Sequence, residues 1–266
     1  MQQITSKENA TIKHIIKLKE KKYRTEYNEF IIEGAKIVKE AIEEKANIKN
    51  IIISEDALNS ELVENQLKEV LEEQNYILVQ NSIFKLLSEV EKPQGVLAVI
   101  EKSMYNKKID YRQDIILILD NIQDPGNLGT IIRTADSVGL TQMLVSKGTV
   151  DCYNSKVLRS TMGAIFRVNI IETYNLEKSI EEIKQNKFKV ITTSLQTDKS
   201  IYDIQLKNVA IVIGNEANGV SKKIIDLADE KAIIPMKGKT ESLNVAVATG
   251  VVLYEYVRQN IERNEW

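Results

Sequence analysis

Five polar residues stand in three loop-like stretches of the chain: Asn127 and Arg133 in DPGNLGTIIRTADSVG, Glu216 in GNEANGVS, and Ser242 and Asn244 in MKGKTESLNVAVATG. Their types bound the chemistry. A guanidinium fork grips phosphate or another oxyanion at two points, carboxylates and side-chain amides order loops or hold hydroxyls, and a serine adds a hydroxyl of its own. Zinc chemistry on a His/Cys set is excluded, because the chain has one histidine, His14, and one cysteine, Cys152. Histidine acid-base catalysis would fall on His14 alone, which sits in a basic amphipathic leader where a surface role is expected. The GKT at residues 238–240 is not a phosphate loop, since that motif needs a glycine five residues earlier, where Ile233 stands. No GxGxxG follows any strand, so the usual dinucleotide fold has no support.

Each stretch also has a plain structural reading. Pro125-Gly126 forces a turn, Asn127 is a good N-cap for the helix that follows, and Ile131, Ile132, Ala135 and Val138 share one helical face, leaving Arg133 on the polar side. Glu216 follows a buried strand in a loop with two glycines, and Ser221 is placed to cap the next helix. The last helix is apolar on nearly every side in its first turns. Such a helix is expected to be buried all round, against its own sheet and a second chain, with Gly250 permitting close approach of another backbone.

Elements of an α/β chain must position these loops. Residues 6–22 carry apolar residues on helical spacing between lysines and predict one basic amphipathic helix. Strands at 30–32, 47–54, 76–80 and 95–101 then alternate with helices, and a polar stretch, EKSMYNKKIDYRQD, reads as a linker. Beyond it, IILIL, QMLVS, FRVNI, FKVITTSL, VAIVIG and KAIIP are continuously apolar strands separated mostly by helices, the mark of a parallel sheet covered on both faces. The expected division is a smaller α/β domain at 1–104, a linker at 105–113 and a second domain at 114–266, with function at loops beyond the strands' carboxyl ends.

Length and composition agree with two soluble domains: 266 residues, 43% hydrophobic and 28% charged, with no apolar run near the roughly 20 residues that span a bilayer. The N-terminus lacks a secretory apolar core, and a cytoplasmic protein is expected. Charge is uneven: residues 1–24 hold seven Lys/Arg against Glu8 and Glu20, while the remaining 29 basic residues face 36 acidic ones. A local basic patch is what binding a phosphate backbone needs, so Lys13, Lys17, Lys21, Lys22 and Arg24 are candidates to contact one, with a solvated helix face as the plain alternative.

In order and spacing over residues 115–258, the three polar stretches jointly resemble the three motifs of the SpoU (TrmH-like) family of S-adenosylmethionine-dependent RNA ribose 2′-O-methyltransferases. The first hundred residues, ITSKENATIKHIIKLKEKKYR through FIIEGAKIVKEAI, are similar to that family's RNA-binding domain related to ribosomal protein L30e. The resemblance implies a parallel-sheet SPOUT domain with a deep trefoil knot, an obligate homodimer, and S-adenosylmethionine held by backbone of the knotted loops at Leu195, Gly214, Ile234 and Leu243. No metal is expected, on the ground already given that His14 and Cys152 stand alone. Catalytic positions carried over by motif are Asn127, Arg133, Glu216, Ser242 and Asn244. Family proposals make the arginine a general base, yet a guanidinium holds its proton above about pH 12, so proton loss to phosphate or water stays open. The implied substrate is a guanosine of 23S rRNA; a tRNA substrate, and a catalytically silent RNA-binding module, are the alternatives.

Overall fold

The computed structural model describes residues 1–102 and 108–260; positions 105–107 of the expected linker and the last six residues of the expected second domain lie outside the described residues. Along the first hundred residues run β1 (Gln2–Ile4), α1 (Ala10–Lys17), α2 (Lys21–Glu26), β2 (Glu29–Glu33), α3 (Ala35–Glu43), β3 (Ile48–Ser54), α4 (Glu55–Leu58), α5 (Glu61–Glu73), β4 (Ile77–Val79), α6 (Asn81–Leu87) and β5 (Val96–Glu101). Then come β6 (Ile115–Leu119), α7 (Pro125–Ser137), β7 (Gln142–Ser146), α8 (Ser155–Thr161), β8 (Asn169–Thr173), α9 (Leu176–Gln185), β9 (Lys189–Thr193), β10 (Val209–Ile213), α10 (Lys222–Leu227), β11 (Glu230–Ala232) and α11 (Val245–Asn260). Two compact units result: Met1–Met104 with Asp151–Phe166, and Tyr105–Val150 with Arg167–Trp266.

The first unit is built on a mixed sheet of order β1-β4-β3-β5-β2, in which β5 runs antiparallel to both β3 and β2. One face of it packs on Ile12, Ile15, Leu18, Ile83, Phe84 and Leu87. The single helix expected over residues 6–22 is two helices. Asn9 starts α1 by accepting from the Thr11 amide at 2.8 Å, and the chain is turned at its end by Arg24, whose Nη1 donates to the Leu18 and Lys19 carbonyls at 2.8 and 2.6 Å. A continuous helix would spend those carbonyls on amides one turn later. The same guanidinium donates to Asp151 Oδ2 through Nε and Nη2, at 3.0 and 2.6 Å, and the Phe30 and Tyr153 rings meet at 4.7 Å. Those contacts hold Asp151–Phe166, including α8, within this unit although the chain reaches it only after β7. β1, short and with one buried residue, carries no periodic signal and was not expected from the sequence.

The second unit holds a wholly parallel sheet of order β11-β9-β10-β6-β7-β8. Every residue of β6 and β10 is buried, as central strands covered on both faces require. The chain runs from β6 through β7 to β8 on one side of β6 and returns on the other, so strand order reverses between β6 and β10. Loops leaving the carboxyl ends of that pair flank the crevice where such sheets bind ligands.

Three local expectations change. Strand β8 starts at Asn169 rather than Phe166, because Phe166 closes a tight turn and Arg167 is engaged by both Asp136 carboxylate oxygens at 3.1 and 3.0 Å. Residues 108–113, read as linker, are fastened to the second unit: buried Gln142 accepts from the Asp110 amide at 2.8 Å and donates to its carbonyl at 2.6 Å, and Ile109 and Tyr111 lie on the core. In α11, Val245, Ala246, Thr249, Val252 and Leu253 are buried, but Val247 and Tyr254 are each 54% exposed within one chain. Gly250 faces Thr134 of α7, where a Cβ would find ordinary room at 3.9 Å, so no backbone approach demands glycine there. Among the described residues no helix is long and apolar enough to cross a membrane.

Candidate active site

The expected N-cap of α7 is displaced by three residues. Asp124 caps it, its Oδ1 accepting from the Asn127 amide at 2.8 Å, with Pro125 supplying the fixed φ of the first turn. This leaves the Asn127 side chain unspent on capping, and it becomes the centre of a chain of hydrogen bonds. Asn244 caps α11 with Oδ1, which accepts from the Ala246 and Val247 amides at 2.9 and 3.3 Å. Because backbone amides only donate, that oxygen is fixed as the acceptor and Nδ2 must donate outward. It donates to Asn127 Oδ1 at 3.0 Å, so Asn127 Nδ2 in turn donates to Glu216 Oε1 at 3.1 Å. Glu216 also accepts from the Asp124 and Gln123 amides, both at 3.2 Å. All three loops are thereby joined in one polarised network with its negative end at Glu216.

That end is charged. Burial pushes the Glu216 carboxyl up, but the Asn127 side-chain amide and the surrounding backbone amides outweigh it and hold the carboxyl below its ordinary range. The carboxylate is an anchor for donors, and its oxygens are already engaged.

The loop that carries Glu216 is closed by its own backbone. Asn215 and Gly219 exchange amide-carbonyl bonds at 2.9 Å, and Asn215 Oδ1 accepts from the Ala217 and Asn218 amides at 3.0 and 3.1 Å. A Cβ on Gly214 would stand 2.1 Å from both Gly219 C and Val220 N, so the loop can fold back only over glycine. Asn215 Nδ2 then donates to the Asn121 carbonyl at 2.9 Å, where Asn121 holds a left-handed φ of 63° just past β6. Buried Asp120 accepts from the Ser221 amide at 2.9 Å, and the Ser221 side chain makes no cap bond on α10. Asp120, Asn121, Asp124 and Asn215 thus order the site although sequence reading passed over them; their signal was short polar residues at the ends of two buried strands.

Of the five motif residues, Asn127, Glu216 and Asn244 are brought together. Arg133 lies further along α7, exposed, and Ser242 is exposed in the loop before α11; neither finds a hydrogen-bond or ion-pair partner among the described residues. Both remain available to a ligand.

The cofactor positions follow β9, β10 and β11, which are neighbours in the sheet. Leu195 is 61% exposed beyond β9, Gly214 is buried beyond β10, Ile234 is half-buried beyond β11, and Leu243 is 38% exposed before α11. Two exposed leucines on the loops after β9 and β11, with a buried glycine at the end of neighbouring β10, fit a ligand with an apolar-faced ring such as adenosine. Among the described residues no group of three or more His, Cys, Asp and Glu could hold a metal ion.

The basic candidates divide. Lys17 and Lys22 flank the Tyr23 ring at 5.5 and 5.4 Å, Tyr23 stacks on Tyr27 with centroids 6.0 Å apart, and Lys21 is exposed beside them. Lys13 is paired with Glu8 at 2.5 Å. Arg24 is a correction: 5% exposed and committed to Asp151 and two carbonyls, it presents no charge to RNA. The tyrosines were missed, though KKYRTEY places them one helical turn apart among the lysines. His14 is half-buried, with Nε2 2.6 Å from Glu29 Oε2.

Residues 114–254 match the family model described as SpoU rRNA Methylase, and residues 9–98 match an MRM3-like substrate binding domain. Over 255 residues the chain is 36% identical to the 23S rRNA (guanosine(2553)-2′-O)-methyltransferase RlmP of Bacillus subtilis, covering 96% of this chain and 98% of that protein. An AdoMet-bound rRNA methyltransferase structure from Sinorhizobium meliloti aligns with a TM-score of 0.85 at 30% identity, covering 98% of this chain and 99% of that one. The SpoU methyltransferase AviRb from Streptomyces viridochromogenes, in complex with AdoMet, aligns with a TM-score of 0.85 at 26% identity, over 96% and 99%.

Proposed function

The chain belongs to the SpoU rRNA methylase family, and from that premise we propose that it methylates a guanosine ribose of 23S rRNA, as a homodimer in the cytoplasm. Its class is that of the S-adenosylmethionine-dependent RNA 2′-O-methyltransferases. One observation carries the assignment of the site: the bonds from Asn244 to Asn127 to Glu216 tie together the three loops that the reaction needs in register.

The bound cofactor supplies an electrophilic methyl group on a positively charged sulfur. The chain's share is to hold a ribose hydroxyl in line with it and keep water away, and positioning of that kind supplies much of the rate. Arg133 and Ser242, the two unpartnered motif residues, are assigned to the substrate: the guanidinium to the phosphate beside the target ribose and to its 2′-hydroxyl, the serine to the nucleoside. Asn127, Glu216 and Asn244 act as positioning residues. Leu195, Gly214, Ile234 and Leu243 would hold the cofactor.

The substrate follows from the relative of 36% identity, whose name gives guanosine 2553 of 23S rRNA. RNA capture is assigned to the first unit, through Lys17, Lys21 and Lys22 around Tyr23, with Lys13 beside them. The homodimer rests on α11, whose exposed Val247 and Tyr254 need cover. The trefoil crossing belongs to the same proposal. Gln259 and Asn260, on the last turn of α11, bond the Ile204 and Leu206 backbone in the loop between β9 and β10, as a threaded segment would.

The test incubates the protein with tritium-labelled S-adenosylmethionine and unmodified 23S rRNA, 16S rRNA or bulk tRNA, with Arg133→Ala as the control. Label in 23S rRNA alone, on a guanosine 2′-oxygen and absent from the control, is the expected result. Label in tRNA alone would replace the substrate.

A further inference from the structure

The crevice where strand order reverses is lined by none of the four cofactor positions and none of the five motif residues, although Asp120, Asn121 and Asn215, which order the site, form part of its wall. It is an open cavity of about 450 Å³ beyond the carboxyl ends of β6, β7, β8 and β10. Leu176 and Ile224 give it apolar walls, and Asn121, Asn215 and Asn218 line it with side-chain amides. At its mouth stand Tyr174, 81% exposed, and Lys147, whose Nζ lies 5.7 Å from the Tyr174 ring centroid.

Tyr174 and Lys147 are both exposed, and Lys147 has no ion-pair partner among the described residues, so neither side chain is spent on the core. The combination serves a ligand that has a flat face and a negative charge. The Asn215 amide is spent on its own loop and on the Asn121 carbonyl, so the Asn121 and Asn218 side chains are the amides that face the edge of such a ligand, and the crevice has the volume of a small-molecule pocket. A nucleotide satisfies all three conditions.

The crevice is also coupled to the catalytic network by adjacency in the chain. Asn215 lines it and donates to the Asn121 carbonyl at 2.9 Å, while the next residue, Glu216, anchors Asn127. Asn215 and Glu216 are consecutive, so the crevice and the network meet at one peptide bond.

Resting on the reading of the chain as an RNA methyltransferase, we propose that this crevice takes an unpaired nucleotide of the RNA near the methylated one, its base stacked on Tyr174 and its phosphate held by Lys147. A substrate with that position locked in a duplex would then bind weakly.

The test uses the full chain and a 23S rRNA transcript, with affinity measured by filter binding, which needs no turnover. Tyr174→Ala should raise Kd about tenfold, the usual worth of a base stacked on an aromatic ring, while Tyr174→Phe keeps the ring and stays within about twofold. Lys147→Ala should weaken binding similarly and lower the salt slope by about one counterion. Cofactor affinity, from calorimetry with S-adenosylmethionine, should not move in any variant. An unchanged Kd for Tyr174→Ala overturns the proposal, and a fall in cofactor affinity reassigns the crevice to the cofactor. Failure of the parent reading is a separate outcome, visible as wild-type protein that transfers no methyl group to the same transcript.

Discussion

Asn127 and Glu216 meet amide to carboxylate at 3.1 Å, although 89 residues separate them in the chain. The bond aligns the start of α7 with the loop beyond β10, and the direction in which Asn127 donates is fixed from the far side by Asn244. Replacing Glu216 by glutamine should therefore damage the site more than its near-identical shape suggests. The new amide turns a donor toward the Gln123, Asp124 or Asn127 donors, and one of the loops must move. A displacement of about 1 Å costs on the order of a hundredfold in turnover, so kcat should fall by that order with methyl transfer to RNA as the assay. A variant within twofold of wild type would remove Glu216 from the positioning network.

The same carboxylate makes a prediction in pH. Its folded pKa lies below the ordinary value near 4.3, so its contribution to stability is fully present above that value and is lost as pH falls through the folded one. The difference in Tm between wild type and Glu216→Gln should stay level from about pH 8 to pH 5.5 and close below about pH 4. Asp229 and Glu255, also held low, occur in both proteins and cancel. A difference that changes between pH 6 and 8 would mean that Glu216 titrates near neutrality and is not the anchored anion described.

Gly214→Ala should uncouple cofactor binding from folding. Its Cβ would lie 2.1 Å from Gly219 and Val220 backbone atoms, which have no rotamer by which to escape, so the loop must open. Calorimetry should show S-adenosylmethionine affinity falling by about tenfold or more, while Gly238→Ala, where a Cβ meets nothing within 4 Å, should leave it unchanged. Equal affinities in the two variants would show that the closure of this loop does not serve the cofactor.

Much of this was legible in the sequence, and the limits have physical causes. The strands IILIL and QMLVS coincide with β6 and β7 because continuous apolar runs bounded by turn residues have only one buried arrangement in a parallel sheet. The capping of α7 was misplaced because Asp124 and Asn127 are equally good N-cap residues, and only the fold shows that Asn127 is wanted by Glu216. The linker reading failed in part because Asp110 is held by Gln142, a buried polar residue in a strand that otherwise reads as apolar. Pairing across long sequence separations, as between Arg24 and Asp151, leaves no local pattern.

Arg24 separates stability from RNA binding. Its guanidinium and the Asp151 carboxylate are nearly buried, so Arg24→Ala strands an anion and two carbonyls and should destabilise the first unit by about 3 to 5 kcal/mol in urea denaturation. Lys17→Ala with Lys22→Ala should do the reverse, leaving stability within about 0.5 kcal/mol and lowering the salt slope of RNA binding by about two. A loss of RNA affinity in folded Arg24→Ala equal to that of the lysine pair would restore Arg24 to the binding surface.

The last prediction concerns α11. Val247 and Tyr254, two turns apart on one helix, are each 54% exposed, and the half-buried Val251 lies between them on the same stripe. A lone exposed valine would need no explanation, but a repeated apolar stripe on a helix whose opposite face is already core is stable only when covered. If a second copy supplies the cover, Val247→Asp with Tyr254→Asp places two like charges against their own images across a twofold axis. Sedimentation should then show a wild-type dimer and a folded monomer for the double variant, with methyl transfer lost. A wild-type monomer at assay concentration would assign the stripe to another occupant.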